Sequence, residues 1–163
     1  MRVAVSATSN QSGASNPTPA GGVRGFFVAI AVLALAGMAV SAVSLQRHYA
    51  KSASAFCDFG GKFNCDVVNR SEYSTVMGIP VAGIGIVGYA VLFALATTYR
   101  SRVETPLRLL LTAVAGFAFA LYLTYVEGYV LDTWCILCMS SLALIAMITV
   151  LAGMLKVQAA RTK

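Results

Sequence analysis

The chain has 163 residues, 58% of them hydrophobic and 11% charged, with a mean hydropathy of +0.77 and a formal net charge of +6. A soluble domain carries about 25% charged residues, so this composition lacks the polar coat that water requires. The surplus of base is not a nucleic-acid footprint, because no basic stretch is interleaved with aromatic residues.

Residues 1–25 are rich in Ser, Ala, Gly, Asn and Pro and are expected to form a disordered tail. The first apolar block, Phe26–Leu45, has the length of a membrane helix. Small residues at Ala39–Ala42 suit a cleavage site, but the block is too long for a signal-peptide core, and we read it as a retained helix. A long polar segment, 46–78, follows. Within it Asp58–Asn64 reads as a turn and Asp66–Tyr73 as a short helix along the membrane surface. The second block is Ile79–Thr98. Gly78-Ile79-Pro80 suits its start, with Pro80 in the first turn, and Gly83, Gly85 and Gly88 offer small residues for helix contact. The third and fourth blocks are Leu107–Val126 and Cys135–Leu155. Asp132 and Thr133 are the N-cap candidates for the fourth. Tyr122, Tyr125, Tyr129 and Trp134 cluster as an interfacial aromatic belt would.

No block contains Asp, Glu or Lys, and Arg108 is the only Arg in any of them. A soluble helical bundle needs polar faces at helical period, and these blocks have none. The expected fold class is therefore all-α integral membrane: a four-transmembrane-helix bundle over 26–155 with an extracytoplasmic loop and short-helix cap. Residues 156–163 form the closing tail.

Charge sets the expected orientation. Arg2, Arg24, Arg100, Arg102, Arg108, Lys156, Arg161 and Lys163 are two-thirds of the 12 Lys and Arg, and four alternating helices put them all on one side. By the positive-inside rule both termini are cytoplasmic, and all four cysteines face the opposite compartment.

Those four cysteines carry the chemistry. Cys57 and Cys65 lie in the long loop with seven residues between them, and Cys135-Ile136-Leu137-Cys138 opens the fourth block. A helix N-terminus favours the thiolate, which is the nucleophile of disulfide exchange. Cys135, nearer the water, suits exchange with another protein sulfur, and Cys138, one turn deeper, suits a reactant dissolved in the bilayer. A mobile loop pair would present Cys65 to Cys135 through a mixed disulfide. Three blander roles compete. A four-cysteine zinc site uses two short chelating spacings, which this pattern lacks, so no metal is expected. Static structural bridges and buried inert cysteines are the others, and neither explains two pairs gathered at one membrane edge.

Phe56-Cys57-Asp58, Cys65, Ser71 and the later Trp134-Cys135-Ile136-Leu137-Cys138 resemble the vitamin K epoxide reductase family. The stretch Tyr73–Pro80 is similar to its bacterial members in particular, and the likeness runs from about residue 25 to 156. What the resemblance implies is a four-helix bundle around a pocket for a quinone of the menaquinone, ubiquinone or phylloquinone type. By it, Cys57 exchanges with a thioredoxin-like protein, Cys65 passes electrons to Cys135, and Cys138 reacts with the quinone. Asp58 and Ser71 match positions near the cap and pocket. Many bacterial relatives carry a fused thioredoxin-like domain after the bundle, whereas this chain ends at Lys163, so a separate thioredoxin-like protein is the expected partner. Vertebrate members have a tyrosine near the quinone where this chain has Leu142, which favours oxidation of protein thiols over reduction of an epoxide. Supporting disulfide formation from a bacterial inner membrane is the expected role; vitamin K quinone or epoxide reduction with the same cysteines is the alternative. A non-catalytic membrane scaffold stapled by disulfides is the contrasting class.

Among other residues, His48 is the only histidine and is expected to be a solvated interface residue. Glu127 marks the water boundary of the third block, with a proton relay to a quinone as its sharper role. Ser140 and Ser141 follow Cys138 closely enough to donate to a quinone oxygen, although serine within a helix more often bonds its own backbone. The methionines and phenylalanines show no haem or copper spacing.

Overall fold

A computed structural model of the protein describes residues 19–50, 62–99, 102 and 104–161. The chain order is helix α1 (Pro19–Tyr49), short helix α2 (Cys65–Asn69), a 3₁₀ turn (Glu72–Ser74), strands β1 (Thr75–Val76) and β2 (Ile79–Pro80), then helices α3 (Val81–Thr97), α4 (Thr105–Tyr129) and α5 (Ile136–Arg161). Among the described residues, three helices are long and apolar enough to cross a membrane: α1 over Gly22–Tyr49, α4 and α5. The second expected span becomes the shorter apolar helix α3, 17 residues long. At 1.5 Å per residue it runs about 25 Å, a little under the roughly 30 Å of a hydrocarbon core.

The long helices overrun their apolar blocks. Helix α1 begins at Pro19, ahead of the expected Phe26, and continues through Arg47 and His48; α5 runs on to Arg161. Pro19–Gly25 is therefore helix rather than tail, and the rest of the expected tail, 1–18, lies outside the described residues. The physical reason is that helix propagation needs only the next backbone hydrogen bond, which polar side chains at an interface do not oppose.

The core is a set of single-sided stripes. Phe27, Ile30 and Ala34 on α1 meet Tyr89, Leu92 and Ala96 on α3, Leu109 and Ala113 on α4, and Ile145, Ile148, Ala152 and Leu155 on α5. Spacings of three and four put each set on one helix face. The outward faces are equally apolar, with Val32, Leu111 and Val150 each more than half exposed. Such faces suit lipid rather than water. Helices α1 and α3 approach closely at two glycines: a Cβ on Gly37 would overlap the Tyr89 ring, and one on Gly85 would lie 2.9 Å from Ser41 Oγ. Of the three glycines expected to serve contact, only Gly85 does so; Gly83 and Gly88 have nothing within 4 Å of such a Cβ.

Between α1 and α3 the chain is more structured than an all-α reading allows. Strands β1 and β2 pair antiparallel, Thr75 with Pro80 and Val76 with Ile79. Met77 (φ 52°) and Gly78 (φ 82°) are both left-handed, as a two-residue type I′ turn requires. Pro80 thus lies in the hairpin at the threshold of α3, not inside the helix's first turn.

Candidate active site

Backbone pairing fixes the loop cysteine to the helix pair. Phe63 and Trp134 form a parallel bridge. Trp134 N–H donates to the Lys62 carbonyl at 2.8 Å, and Asn64 N–H donates to the Trp134 carbonyl at 3.1 Å. Asn64 then caps α2, its Oδ1 accepting from Asp66 N–H (3.0 Å) and Val67 N–H (3.2 Å). Cys65, the first residue of α2, is thereby held beside the residue that precedes Cys135. Cys65, Val68 and Cys135 form one buried cluster, with Leu131, Leu137 and Cys138 packed on it. Cys65 and Cys135 are 1% and 0% exposed, so their proximity is a packed contact and not a surface coincidence. Cys135 and Cys138 are free thiols, whereas Cys65 is disulfide-bonded. Cys57 and Asp58 lie outside the described residues.

The start of α5 differs from expectation. Neither N-cap candidate caps it. The Thr133 hydroxyl donates to the Leu131 carbonyl, and Asp132, with φ of 46°, faces Lys62 in an exposed pair at 3.5 Å. Cys135 stands at the cap, its carbonyl accepting from Met139 N–H at 3.0 Å. Its own N–H donates to Glu127 Oε2 at 3.1 Å. Glu127 is 2% exposed, buried rather than at a water boundary, and among the described residues its Oε1 has no partner at normal hydrogen-bond distance. The carboxyl also interacts with the Cys138 thiol.

Cys135, just ahead of the spanning helix, has its pKa lowered. The largest cause is a hydrogen bond from the Cys138 thiol; backbone N–H groups of Cys138 and Leu137 add to it. Burial and the charge of Glu127 oppose the shift.

A cavity of about 390 Å³ opens beside Cys138, walled by α1, α3, α4 and α5 and roofed by α2 and the 3₁₀ turn. Its volume is in the range of small-molecule sites, which are mostly apolar with a few placed polar groups. Those groups here are few. The Tyr89 hydroxyl is bonded to the Ser141 carbonyl and hydroxyl, both at 2.9 Å. Asn69, 7% exposed, has an Nδ2 with no partner among the described residues, like Glu127 Oε1.

Of the residues singled out in the sequence, Cys138, Ser71 and Ser141 line this cavity. The Ser71 hydroxyl donates to the Val68 carbonyl at 2.8 Å, tightening the roof. Ser140 bonds the Ile136 carbonyl at 2.8 Å on an exposed face, as helical serines do. Leu142 is half-buried and is not among the lining residues. His48 is not merely solvated. Its Nδ1 lies 2.5 Å from the Asn69 carbonyl and 3.4 Å from Ser74 Oγ, and it lines the cavity at the end of α1. Asn69 and Tyr89 were not legible as site residues, since only their placement distinguishes them from a turn residue and a membrane aromatic.

A CxxC thiol pair, Cys135 buried and Cys138 half-buried at the edge of an apolar cavity, among helices able to span a bilayer, is the arrangement of a membrane redox protein. The family model of the vitamin K epoxide reductase family matches residues 28–153, most of the chain, and the chain belongs to that family. The family is made up of membrane oxidoreductases that use quinones, which makes this protein an integral membrane oxidoreductase.

Proposed function

We propose that the protein oxidises a dithiol on a separate thioredoxin-like protein and passes two electrons to a membrane quinone, through Cys57 and Cys65 and then Cys135 and Cys138. The supporting observation is the shared burial of Cys65 and Cys135, with Cys138 on the cavity wall. In the first step a partner thiolate attacks a Cys57–Cys65 disulfide. The partner's second thiol closes its own disulfide, leaving the loop pair reduced. Cys65 then attacks Cys135 of an oxidised helix pair, and Cys57 resolves the mixed disulfide, so that both electrons and both protons reside on Cys135 and Cys138. Oxidation of that dithiol converts a quinone of menaquinone, ubiquinone or phylloquinone type to its hydroquinone and restores the helix disulfide. The lowered pKa of Cys135 makes it a good leaving group when Cys57 attacks Cys65 and resolves the Cys65–Cys135 mixed disulfide. Both termini are cytoplasmic in this reading and the thiol chemistry is extracytoplasmic, in a bacterial inner membrane.

The test is purified protein in lipid with a reduced thioredoxin-like protein and a quinone, the quinone absorbance being followed in time. Wild type should consume quinone. Cys138→Ala should not, Cys65→Ala should leave the partner reduced, and a partner lacking its second cysteine should accumulate on Cys57 of the wild type. Unchanged quinone with intact thiols and a competent partner would refute the relay. Turnover of an added epoxide would move the assignment to vitamin K epoxide reduction.

A further inference from the structure

We infer that Glu127 is a catalytic residue of the quinone half-reaction, taking the proton from the Cys138 thiol and delivering it to the ring oxygen beside it. This rests on the proposed reduction of quinone by the Cys135–Cys138 dithiol. The structural grounds are independent of that reading. Glu127 is a carboxyl in an apolar span, 2% exposed, where an acid without a role would be costly to keep. One oxygen is fixed by Cys135 N–H at 3.1 Å; the other, buried, bonds no N–H or O–H donor among the described residues. The carboxyl also interacts with the Cys138 thiol, and both side chains line the cavity. A carboxyl anchored at one oxygen and open at the other, between a thiol and a substrate cavity, is built to carry a proton between them.

The step balances. Cys135 enters as the thiolate, its proton having gone to water. The Cys138 S–H passes its proton to the Glu127 carboxylate, and the Cys138 sulfur gives up the electron pair that the ring accepts. Cys135 closes the S–S bond. Glu127 releases its proton to the near ring oxygen and returns to carboxylate, while the far oxygen takes the second proton from water at the cavity rim. Two electrons and two protons leave the dithiol system and two of each arrive on the ring. Among the described residues, the other titratable groups lining the cavity are His48 at the end of α1, Tyr73 beyond α2 and Tyr89 on α3.

Glu127→Gln keeps the volume and the acceptor for Cys135 N–H but cannot ionise. In protein whose helix pair has been reduced chemically, this variant should lose about 10²–10⁴ in the rate of hydroquinone formation. The part of the wild-type fall at low pH that comes from Glu127 protonation should be missing from its profile, leaving only the fall that tracks the Cys135 thiolate signal. Glu127→Asp should recover part of the rate and retain that acid limb, which a purely structural role does not predict. Two readouts need no turnover. Quinone quenching of Trp134 fluorescence should be unchanged in the Gln variant. The ultraviolet thiolate signal of Cys135 should appear at lower pH, because the opposing charge is gone. A Gln variant with the wild-type rate, or a slow one whose acid limb exceeds the one that tracks the Cys135 thiolate signal, overturns the role of Glu127 alone. A wild-type dithiol that never reduces quinone overturns the parent reading as well. Should the Gln variant not fold, a Glu127→Asp rate and pH profile identical to wild type would overturn the role.

Discussion

Gly37→Ala adds one methyl group where α1 meets α3, and the structure makes that methyl expensive. The new Cβ overlaps the Cδ1, Cε1 and Cζ atoms of Tyr89. The ring cannot swing aside freely: it is 5% exposed, and its hydroxyl is bonded to both oxygens of Ser141 at 2.9 Å. Overpacking costs about 1–3 kcal/mol, and the strained or lost hydroxyl bond adds about 0.5–1.5 kcal/mol. Alanine returns about 1 kcal/mol of helix propensity. The net expectation is a loss of about 2 kcal/mol. Gly153→Ala, the same change in α5 with nothing within 4 Å of the new Cβ, should gain up to about 1 kcal/mol. Reversible unfolding in mixed micelles, followed by circular dichroism, measures both. Combining Gly37→Ala with Tyr89→Leu should bring no penalty beyond that of Tyr89→Leu alone, since the overlap is with the ring. Equal stability of Gly37→Ala and Gly153→Ala would refute the close approach.

Two further outcomes follow from the cysteine site. Cys135 has a depressed pKa, so in the reduced protein its thiolate should persist at pH values where a free cysteine, with a pKa of about 8.5, is protonated, and should vanish only as pH falls through the lower value. Cys138→Ala removes the largest cause and should shift the ultraviolet thiolate titration upward; no upward shift would contradict that cause. Removing Cys57 and Cys138 together, as serines, leaves Cys65 and Cys135 as the available pair. They should form a disulfide on mild oxidation, seen as a changed mobility on a non-reducing gel, because they already share a buried cluster.

Much of the bundle was legible because membrane helices announce themselves in one dimension: an apolar run long enough for a bilayer has few other fates. The ends were not, because the apolar runs are broken by Gly and Arg in Pro19–Gly25 and by Lys, Gln and Arg in Lys156–Arg161, yet both segments satisfy their backbone by continuing the helix. The four cysteines stood out by number and spacing. What the sequence hid was contact between distant segments. Glu127 satisfies the N–H of Cys135, so the local cap candidates Asp132 and Thr133 were free for other partners. Gly37 looks like any membrane glycine until Tyr89 is placed against it. His48 looked solvated because its partner, the carbonyl of Asn69, is 21 residues away.

The sharpest such difference concerns Cys65, expected on a mobile loop and found on a capped, stitched helix. Helix α2 has only five residues, too few to persist without tertiary and capping support. Its cap, Asn64 Oδ1, satisfies two backbone donors, and removing such a cap costs about 1 kcal/mol. Asn64→Ala leaves the backbone bond to the Trp134 carbonyl and both helix cysteines untouched. Unfolding of α2 then becomes about fivefold more favourable, since 1.4 kcal/mol is a factor of ten. Electron transfer from a pre-reduced loop pair to Cys135 should slow by at most that factor, whereas quinone reduction by a chemically reduced Cys135–Cys138 pair should keep its rate. Asn64→Asp, an equally good cap, should restore the first step. Equal slowing of both steps, or no rescue by aspartate, would mean that something other than the cap holds Cys65 against Cys135.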